Sequence, residues 1–299
     1  MTGQKPEWLR VKAPSGESYA RIKTLLRGLQ LHTVCEAAQC PNSAECWGSG
    51  TATIMILGDM CTRGCRFCAV KSGDPHGKVD PEEPQKVADA IEELGITYAV
   101  LTSVTRDDLT DGGAGHYART ISAVKERRPD VIVEALIPDF QNDEKSLAEI
   151  AEVGPEVVGH NIETVESLTP RVRDRRSSYR QSINVLRCIK RMNPHIYTKS
   201  SIMLGLGERE QEVLGAFADL RDAGVDMLTL GQYLRPSEWH IPVEEYIAPG
   251  AFERYRGLAQ DMGFLYTASG PLVRSSYRAG EFFVTALTRR KKESKSNGG

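Results

Sequence analysis

Residues 51–68 read TATIMILGDMCTRGCRFC, an apolar run followed at once by three cysteines. The continuous apolar run TATIMILG is typical of a strand that is buried in a parallel sheet. Cys61, Cys65 and Cys68 follow it with three and then two intervening residues. Barrels and open parallel sheets carry their sites at the carboxyl ends of their strands. The stretch therefore predicts a cysteine loop at the mouth of a parallel sheet.

The same alternation of an apolar run and a helical segment continues along the chain. Five further strand candidates read YAVLTSV, VIVEALIP, EVVGHNIE, TKSSIMLGLG and DMLTLGQYL. Helical spacing of apolar residues predicts helices over Pro84–Leu94, His116–Arg127, Glu144–Val153, Tyr179–Met192, Glu208–Ala223 and Ala251–Met262. Six successive βα units predict an α/β fold of the partial TIM-type (β/α)6 barrel class, with an open doubly wound sheet as the alternative.

The predicted barrel spans residues 51–266 and is flanked by two extensions. Residues 1–50 form an N-terminal extension with three more cysteines, Cys35, Cys40 and Cys46. Residues 267–299 form a C-terminal extension that ends in RRKKESKSNGG. This tail is polar and basic and has no apolar period, so we expect it to be disordered.

Composition excludes several classes of function. The chain has 299 residues, of which 40% are hydrophobic, with 38 basic and 40 acidic side chains. This balance gives no sign of a nucleic-acid-binding surface, and no run approaches the ~18 apolar residues of a membrane span. The first residues lack a secretory signal, so we expect a cytoplasmic protein. In a reducing compartment, clustered cysteines more often bind metal or do redox work than form disulfides.

The three thiols of residues 61–68 are one short of a structural zinc site, which takes four ligands. Sulfur ligands select zinc or iron–sulfur clusters. Three thiolates on a four-iron cluster would leave one iron without a protein ligand. Such an open iron could hold a cofactor by the cofactor's own donor atoms.

CTRGCRFC resembles the cysteine loop of radical S-adenosylmethionine enzymes. Longer stretches are similar to the lipoyl synthase family, and they run along nearly the whole chain: LHTVCEAAQCPNSAECW, TATIMILGDMCTRGCRFCAV, RDDLTDGGAGH, HNIETVESLTPRVR, TKSSIMLGLGE, GQYLRPS and GPLVRSSYRA. This resemblance implies two 4Fe-4S clusters and S-adenosylmethionine as cofactors. It also implies that electron transfer from the first cluster cleaves S-adenosylmethionine to a 5′-deoxyadenosyl radical.

The resemblance assigns the cluster ligands. It implies that Cys61, Cys65 and Cys68 hold the cluster that binds S-adenosylmethionine. The remaining ligands would hold an auxiliary cluster, and they are Cys35, Cys40, Cys46 and Ser276, the last from the sequence RSSY. A pair of ordinary turn serines is the alternative reading of that sequence.

Two further segments are candidate contacts of S-adenosylmethionine. Asn161 and Glu163 alternate in HNIE, so a strand would point both side chains to one face, where a carboxylate could accept hydrogen bonds from the ribose. Gly205, Gly207 and Glu208 belong to GLGE, where adenine could approach a backbone without side chains. A helix N-terminus with an acidic first turn explains GLGE nearly as well.

Three single residues are weaker candidates. Phe67, between two cysteines, could shield the cluster and the cofactor, or it could be an ordinary packing residue. Thr105 and Lys199 could bind the methionine carboxylate, or they could be capping or lining polar residues.

The family resemblance implies an enzyme that inserts two sulfur atoms at C6 and C8 of a protein-bound octanoyl-lysine, with the auxiliary cluster as sulfur donor. It implies these partners: octanoylated lipoyl-carrier domains (E2 subunits of 2-oxoacid dehydrogenases or the glycine cleavage H protein), an electron donor such as flavodoxin or ferredoxin, and iron–sulfur carrier proteins. Radical chemistry on another substrate, as in biotin synthase or methylthiotransferases, is the second hypothesis. A zinc module that binds nucleic acid is the third, and the βα series and the absence of a basic patch disfavour it.

Overall fold

The structure is a computed structural model that describes residues 5–10, 17–37, 40, 42, 45–46, 51–281, 283 and 287. The tail predicted to be disordered, residues 289–299, lies outside the described residues. The strands in chain order are β1 (His32–Thr33), β2 (Thr51–Ile56), β3 (Met60–Cys61), β4 (Lys71–Ser72), β5 (Tyr98–Ser103), β6 (Ile132–Leu136), β7 (Val157–Gly159), β8 (Tyr197–Leu204), β9 (Met227–Gln232) and β10 (Tyr266–Gly270).

Nine α-helices lie wholly within the described part of the chain. They are α1 (Glu17–Gly28), α2 (Val34–Ala37), α3 (Glu83–Glu93), α4 (Ala114–Arg127), α5 (Glu144–Val153), α6 (Thr169–Val172), α7 (Tyr179–Met192), α8 (Glu210–Asp222) and α9 (Pro249–Asp261). Short 3-10 helices cover Glu7–Leu9, Phe140–Asn142 and Glu166–Leu168. The six predicted helices are confirmed as α3, α4, α5, α7, α8 and α9. Among the helices that the structure describes, none has the length and apolar character needed to cross a membrane.

Local capping explains why three of these helix boundaries were predictable. The Asp143 side chain accepts a hydrogen bond from the Ser146 N–H at 2.9 Å at the start of α5. Gly154 ends that helix with φ 66°, in the left-handed region that glycine adopts without strain. Ser178 caps α7 by accepting from the Gln181 N–H at 3.1 Å.

The main sheet of the described residues has eight strands in the order β1-β2-β5-β6-β7-β8-β9-β10. All pairs are parallel except the antiparallel pair of β1 with β2. No pairing joins β10 back to β1 in this part of the chain, so the sheet is an incomplete barrel. The predicted partial TIM-type barrel is confirmed.

One parallel strand was not predicted. β10 pairs with β9, with Thr267 opposite Leu228, and so continues the sheet beyond residue 266. Its sequence, YTASG, is short and polar and has no continuous apolar run. The polar side chains are accommodated because Ser269 donates to the Phe252 carbonyl at 2.7 Å.

A charged pair lies inside the barrel, on the sheet face that is turned away from the helices. The Lys199 ammonium lies 2.8 and 2.9 Å from the two carboxylate oxygens of Glu134. The Tyr98 hydroxyl donates to the same carboxylate at 2.7 Å, and all three side chains are buried. Below this layer, the Phe283 ring packs against Tyr98 and Tyr197, with centroids 6.0 and 5.4 Å away. The C-terminal segment therefore fills the amino end of the barrel.

This arrangement predicts a structural role for Lys199. Lys199→Met leaves the Glu134 carboxylate buried without its cation, so we expect the free energy of unfolding to fall by about 3–5 kcal/mol. Lys71→Met is the control, because the Lys71 pair with Asp59 is exposed to solvent and should contribute far less. Denaturant unfolding of both variants measures the difference, and equal losses would contradict the prediction.

Candidate active site

The cysteine loop after β2 is closed by a short ladder. β3 and β4 pair in parallel, and the Gly73 N–H donates to the Cys61 carbonyl at 2.9 Å. Within the loop, the Cys68 N–H donates to the Cys65 carbonyl at 3.1 Å. The loop thus folds back on itself at the mouth of the barrel, and all three thiols have intermediate exposure.

Arg63, inside the loop, binds the ends of two neighbouring strands. Its guanidinium donates twice to Asp107 after β5, at 2.9 and 2.8 Å. It also donates twice to Asp139 after β6, at 2.5 and 2.8 Å. Arg63 is only 5% exposed, so these charge-assisted bonds form in a poorly solvated setting. The loop is therefore fixed relative to the sheet by one side chain.

Segments after β7 and β9 hold the same loop. The Asp174 carboxylate accepts from the Gly64 N–H at 2.9 Å, and Arg176 beside it holds the pKa of that carboxyl well below its usual range. The Arg176 guanidinium donates to the Thr62 carbonyl at 2.6 Å. The His240 Nε2 lies 2.9 Å from the Cys68 carbonyl. Four strand ends consequently converge on the three cysteines.

Burial and backbone N–H groups act in opposite directions on two thiols of this loop. Burial raises the pKa of Cys65 to about 11 and that of Cys68 to about 12. Backbone N–H groups oppose this shift, and the Asp174 N–H donates to the Cys65 sulfur at 3.3 Å. A thiol with such a pKa stays protonated at neutral pH unless a metal replaces the proton. N–H groups aimed at sulfur are also what an iron–sulfur cluster uses for tuning.

Among the described residues, no group of three His, Cys, Asp or Glu side chains is arranged to hold a single metal ion.

Asn161 and Glu163 lie together, but not for the predicted reason. β7 ends at Gly159, so the two residues do not alternate along a strand. Glu163 instead has φ 68°. The Asn161 amide donates to the Glu163 carboxylate at 3.2 Å. Burial raises the pKa of Glu163, and the charge of Arg173 opposes that shift. The charge of Glu163 in turn contributes to the raised pKa of the Cys65 thiol.

The GLGE segment is closed by its own residues. The Glu208 carboxylate accepts from the Gly205 N–H at 2.6 Å and from the Leu206 N–H at 2.9 Å. A Cβ on Gly205 would lie 2.2 Å from the Gln232 amide nitrogen, so protein already covers this side of the glycine. The explanation by an acidic first turn does not hold for Glu208, because α8 begins at Glu210.

The three weaker candidates lie in different surroundings. The Thr105 carbonyl accepts from both the N–H and the hydroxyl of Thr62 at 3.0 Å, and Thr105 lines a cavity of about 170 Å³ at the ends of β5 and β6. Phe67 packs against an apolar cluster that includes Leu206 and Tyr233. Lys199 is not brought to the cysteine loop, because its ammonium is held by Glu134 inside the barrel.

The second cysteine group is assembled from both ends of the chain. The Cys40 N–H donates to the Cys35 carbonyl at 2.9 Å, and the Cys46 N–H donates to the Asn42 carbonyl at 3.0 Å. Asn42 in turn donates to the Leu272 carbonyl at 2.6 Å. Burial raises the pKa of the Cys40 and Cys46 thiols, as it does in the first group.

Ser276 lies next to a contact between the C-terminal segment and the second cysteine group. The hydroxyl of the neighbouring Tyr277 donates to the Glu45 carboxylate at 3.0 Å. This bond docks residues 272–277, called here the serine segment, on the segment that carries Glu45 and Cys46. The Ser276 Oγ is buried, and no hydrogen-bond partner for it is found in the described part of the chain. Leaving such a hydroxyl unpaired costs about 1–3 kcal/mol. An oxygen ligand to iron at this position would remove the cost, so the residues fit a second cluster.

The ion-pair partners of the loop were not identified from the sequence. Asp107, Asp139 and Asp174 are 44, 76 and 110 residues from their partners in the loop. Asp107 belongs to the stretch RDDLTDGGAGH, which reads as a structural loop. The sequence indicated these three aspartates only by their position, because each follows a strand of the barrel.

Two family models match the chain. The model of the radical SAM superfamily matches residues 55–220, and the model of the N-terminal domain of lipoyl synthase of the radical SAM family matches residues 2–40. The chain is 55% identical to the lipoyl synthase of Myxococcus xanthus over 97% of each chain. It is 56% identical to that of Thermus thermophilus, over 95% of this chain and 88% of the relative.

Solved structures show the same fold at low identity. The FeFe-hydrogenase maturase HydG from Carboxydothermus hydrogenoformans matches with a TM-score of 0.56 and 15% identity, over 81% of this chain and 63% of that one. Streptococcus suis SuiB bound to S-adenosylmethionine matches with a TM-score of 0.55 and 7% identity, over 74% and 50%.

The packing at Gly231 predicts which substitution releases the serine segment. A Cβ on Gly231 would lie 2.1 Å from the Val273 carbonyl oxygen, so Gly231→Ala must displace the segment that leads to Ser276. We expect iron to fall from about eight to about four atoms per chain, because one of two four-iron clusters is lost.

Gly215→Ala is the matched control, because no atom lies within 4 Å of a Cβ built there. Iron and sulfide analysis after anaerobic reconstitution measures both variants. Full iron content in Gly231→Ala would contradict this view of the serine segment.

Proposed function

We infer that this chain, which belongs to the lipoyl synthase family of the radical S-adenosylmethionine superfamily, inserts two sulfur atoms at C6 and C8 of an octanoyl group held on a lysine of a carrier protein. The observation that carries the inference is the pair of three-thiol groups. One lies at the barrel mouth, and the segment that contacts the other carries a buried serine hydroxyl without a described partner. A single cluster for radical generation would need only the first group.

The residues present fit two 4Fe-4S clusters. Cys61, Cys65 and Cys68 would hold the first and leave one iron for S-adenosylmethionine. The second would be held by the remaining proposed ligands, Cys35, Cys40, Cys46 and Ser276. When bound, these groups supply the electron that cleaves the sulfonium to a hydrogen-abstracting 5′-deoxyadenosyl radical, and the sulfur that the product receives.

The chain's own residues then orient the cofactor. The Asn161 amide orients the Glu163 carboxylate by a hydrogen bond of 3.2 Å, and we propose that this carboxylate accepts hydrogen bonds from the ribose hydroxyls. Thr105, at the rim of the cavity between β5 and β6, is proposed to face the methionine moiety. Phe67 would shield the loop from water, since its ring packs into the adjacent apolar cluster.

The GLGE segment would contact the cofactor mainly through its backbone turn. Glu208 ties the backbone of Gly205 and Leu206 into a tight turn, and the turn places Gly207 at the end of β8. We propose that adenine contacts this turn at Gly207 rather than at Gly205, which is covered by Gln232. Lys199 is left out of the cofactor contacts because Glu134 neutralises it inside the barrel.

Ser276 would make the second cysteine group hold one of its irons less firmly. A hydroxyl oxygen is a harder ligand than a thiolate and is poorly matched to a soft iron–sulfur site. An iron held by Ser276 would therefore be bound less firmly than those held by the three cysteines. We propose that release of this iron is what makes sulfur available to the substrate.

The enzyme acts on lipoyl-carrier proteins. We propose E2 subunits of 2-oxoacid dehydrogenases or the glycine cleavage H protein as the octanoylated carriers, flavodoxin or ferredoxin as the electron donor, and iron–sulfur carrier proteins for cluster repair. We also propose a cytoplasmic location. Relatives named for mitochondria are 53% and 54% identical to this chain.

The function is tested by anaerobic incubation of the reconstituted protein with a reductant, S-adenosylmethionine and an octanoyl-lysine peptide. Mass spectrometry should show a peptide that has gained two sulfur atoms, with about two 5′-deoxyadenosine molecules per product, because each carbon–sulfur bond needs one hydrogen abstraction. Cys65→Ala should form neither compound yet retain the second cluster. A single 5′-deoxyadenosine per product, with uncoupled cleavage excluded, would contradict the mechanism.

The sulfur source is tested by labelling the clusters with heavy sulfide. Product formed in a single turnover should carry two heavy sulfur atoms. Ser276→Cys should retain its cluster and bind S-adenosylmethionine normally, but its sulfur insertion should stall, because a thiolate holds iron more firmly than a hydroxyl does. Unlabelled product would exclude the second cluster as donor, and a fully active Ser276→Cys enzyme would exclude the argument from ligand lability.

A further inference from the structure

Leu57, the first residue after β2, has a backbone conformation that is unusual for its residue type. Its φ is 67°, in the left-handed region, where the Cβ of an ordinary residue is crowded. Gly58 follows with φ 86°, so two consecutive residues turn the chain between β2 and Cys61. The Leu57 side chain is buried. The path into the cysteine loop therefore begins with a strained and buried turn, called here the Leu57 turn.

Buried side chains from two other segments hold both polar groups of the Leu57 backbone. The Leu57 N–H donates to the Glu83 carboxylate at 2.8 Å, and the Leu57 carbonyl accepts from the Arg106 guanidinium at 3.1 Å. Glu83 and Arg106 are 5% and 1% exposed. The Leu57 side chain packs so closely against Gly113 that it leaves no room for a Cβ there. Three separate segments thus fix this one residue.

The Glu83 carboxylate is itself held by partners other than Leu57. The Nε2 of His116, a buried residue of α4, lies 2.6 Å from the same carboxylate oxygen that accepts from Leu57. An ionised carboxylate only accepts hydrogen bonds, so Nε2 is the donor. Glu83 is also the first residue of α3, where the helix dipole favours a negative charge. The acceptor oxygen therefore has a fixed position to which the Leu57 N–H is bound.

Arg106 connects the Leu57 turn to the far end of the cysteine loop. Its guanidinium donates twice to Asp108, at 2.8 and 2.7 Å. The Asp108 carboxylate also accepts from the Gly77 N–H at 2.9 Å. Leu57 precedes all three cysteines of the loop and Gly77 follows them. One arginine–aspartate pair therefore bridges the two ends of the segment that carries the cysteines.

Glycine would adopt the φ of Leu57 without strain, but it would also allow other conformations. A bulky residue in this conformation persists only where its surroundings determine it, and such residues concentrate at functional sites. Here the surroundings are Glu83, Arg106 and Gly113. They leave the start of the cysteine loop one path.

We propose that Glu83 is a positioning residue for the radical chemistry, because it holds the Leu57 turn and with it the start of the cysteine loop. This rests on the proposed function. Glu83 acts through the Leu57 backbone and not by binding a cysteine. If the turn relaxes, the loop shifts, and the radical forms at a displaced position. Misalignment of reacting atoms by about 1 Å is costly, so such a radical is more often quenched before it reaches the substrate carbon.

The test compares two full-chain variants that differ in the acceptor offered to Leu57. Both carry His116→Leu, so that no imidazole is left buried without its partner. One also carries Glu83→Met, which keeps the length of the side chain but has no oxygen, and the other carries Glu83→Gln, which keeps an amide oxygen. Hydrogen exchange is measured before cluster loading, by mass spectrometry of a peptide that covers residues 55–61. We expect about tenfold faster exchange with Glu83→Met, because the Leu57 amide loses its acceptor.

A peptide from β8 is the internal control, and its exchange should be the same in both variants. The second readout is the number of 5′-deoxyadenosine molecules per product after reconstitution. We expect this ratio to be several-fold higher with Glu83→Met than with Glu83→Gln at equal iron content, because more radicals are quenched.

Glu83→Asp alone is the milder variant, and it decides the question if Glu83→Met prevents folding. Aspartate keeps the charge but withdraws the oxygen by one methylene. It should change local exchange and the 5′-deoxyadenosine ratio in the same directions as Glu83→Met, by smaller factors.

Three results would overturn the proposal. The first is equal exchange of residues 55–61 with methionine and glutamine at position 83. The second is an acceleration that the β8 peptide shares, because it reports a general loss of stability. The third is a local difference in exchange with an unchanged 5′-deoxyadenosine ratio, which would leave Glu83 a structural role only. A parent enzyme that holds both clusters and makes no product contradicts the proposed function instead, and the exchange measurement still decides whether Glu83 holds the turn.

Discussion

The mouth of this barrel depends on the double ion pair of Arg63 with Asp107 and Asp139. A guanidinium presents its donors in a rigid, planar fork, so two bidentate carboxylates fix both its position and its orientation. Because Arg63 lies between Cys61 and Cys65, the cysteine loop inherits the geometry of the β5 and β6 ends. A buried pair of this kind is a poor source of stability but a good source of a unique conformation. Radical chemistry needs the latter, since the reacting atoms must stay aligned.

The two cysteine groups are supported by different physics. Charged side chains from loops after several strands hold the first group, as the Asp174 and Arg176 contacts illustrate. The second is held by docking between chain ends, through the Asn42 contact with Leu272 and the Tyr277 contact with Glu45. The first group is thus rigidly attached to the barrel, whereas the second depends on how two peripheral segments meet.

Much of this organisation was predictable from sequence, because it rests on local periodicity. Helical spacing located the six main helices, and the cysteine spacing located the first group. Other features depend on distant contacts that no local pattern reveals, such as the 44-residue separation of Arg63 and Asp107. β10 was missed because its residues are polar, and no local pattern indicates that Lys199 pairs with Glu134, which lies 65 residues away. The choice of Ser276 came from the family resemblance, and its unpaired hydroxyl now supports that choice on physical grounds.

The assembly of one site from both chain ends has a consequence for biosynthesis. Cys35 leaves the ribosome early, but its group lacks the Ser276 segment until translation has passed residue 276. The described side chains that hold the loop of residues 61–68 are all synthesised once His240 has been translated, so this loop can reach its final geometry first. Iron delivered during translation would therefore find one complete cysteine site and one open one. Cells that insert both clusters correctly must either deliver the second after translation or protect three unliganded thiols in the meantime.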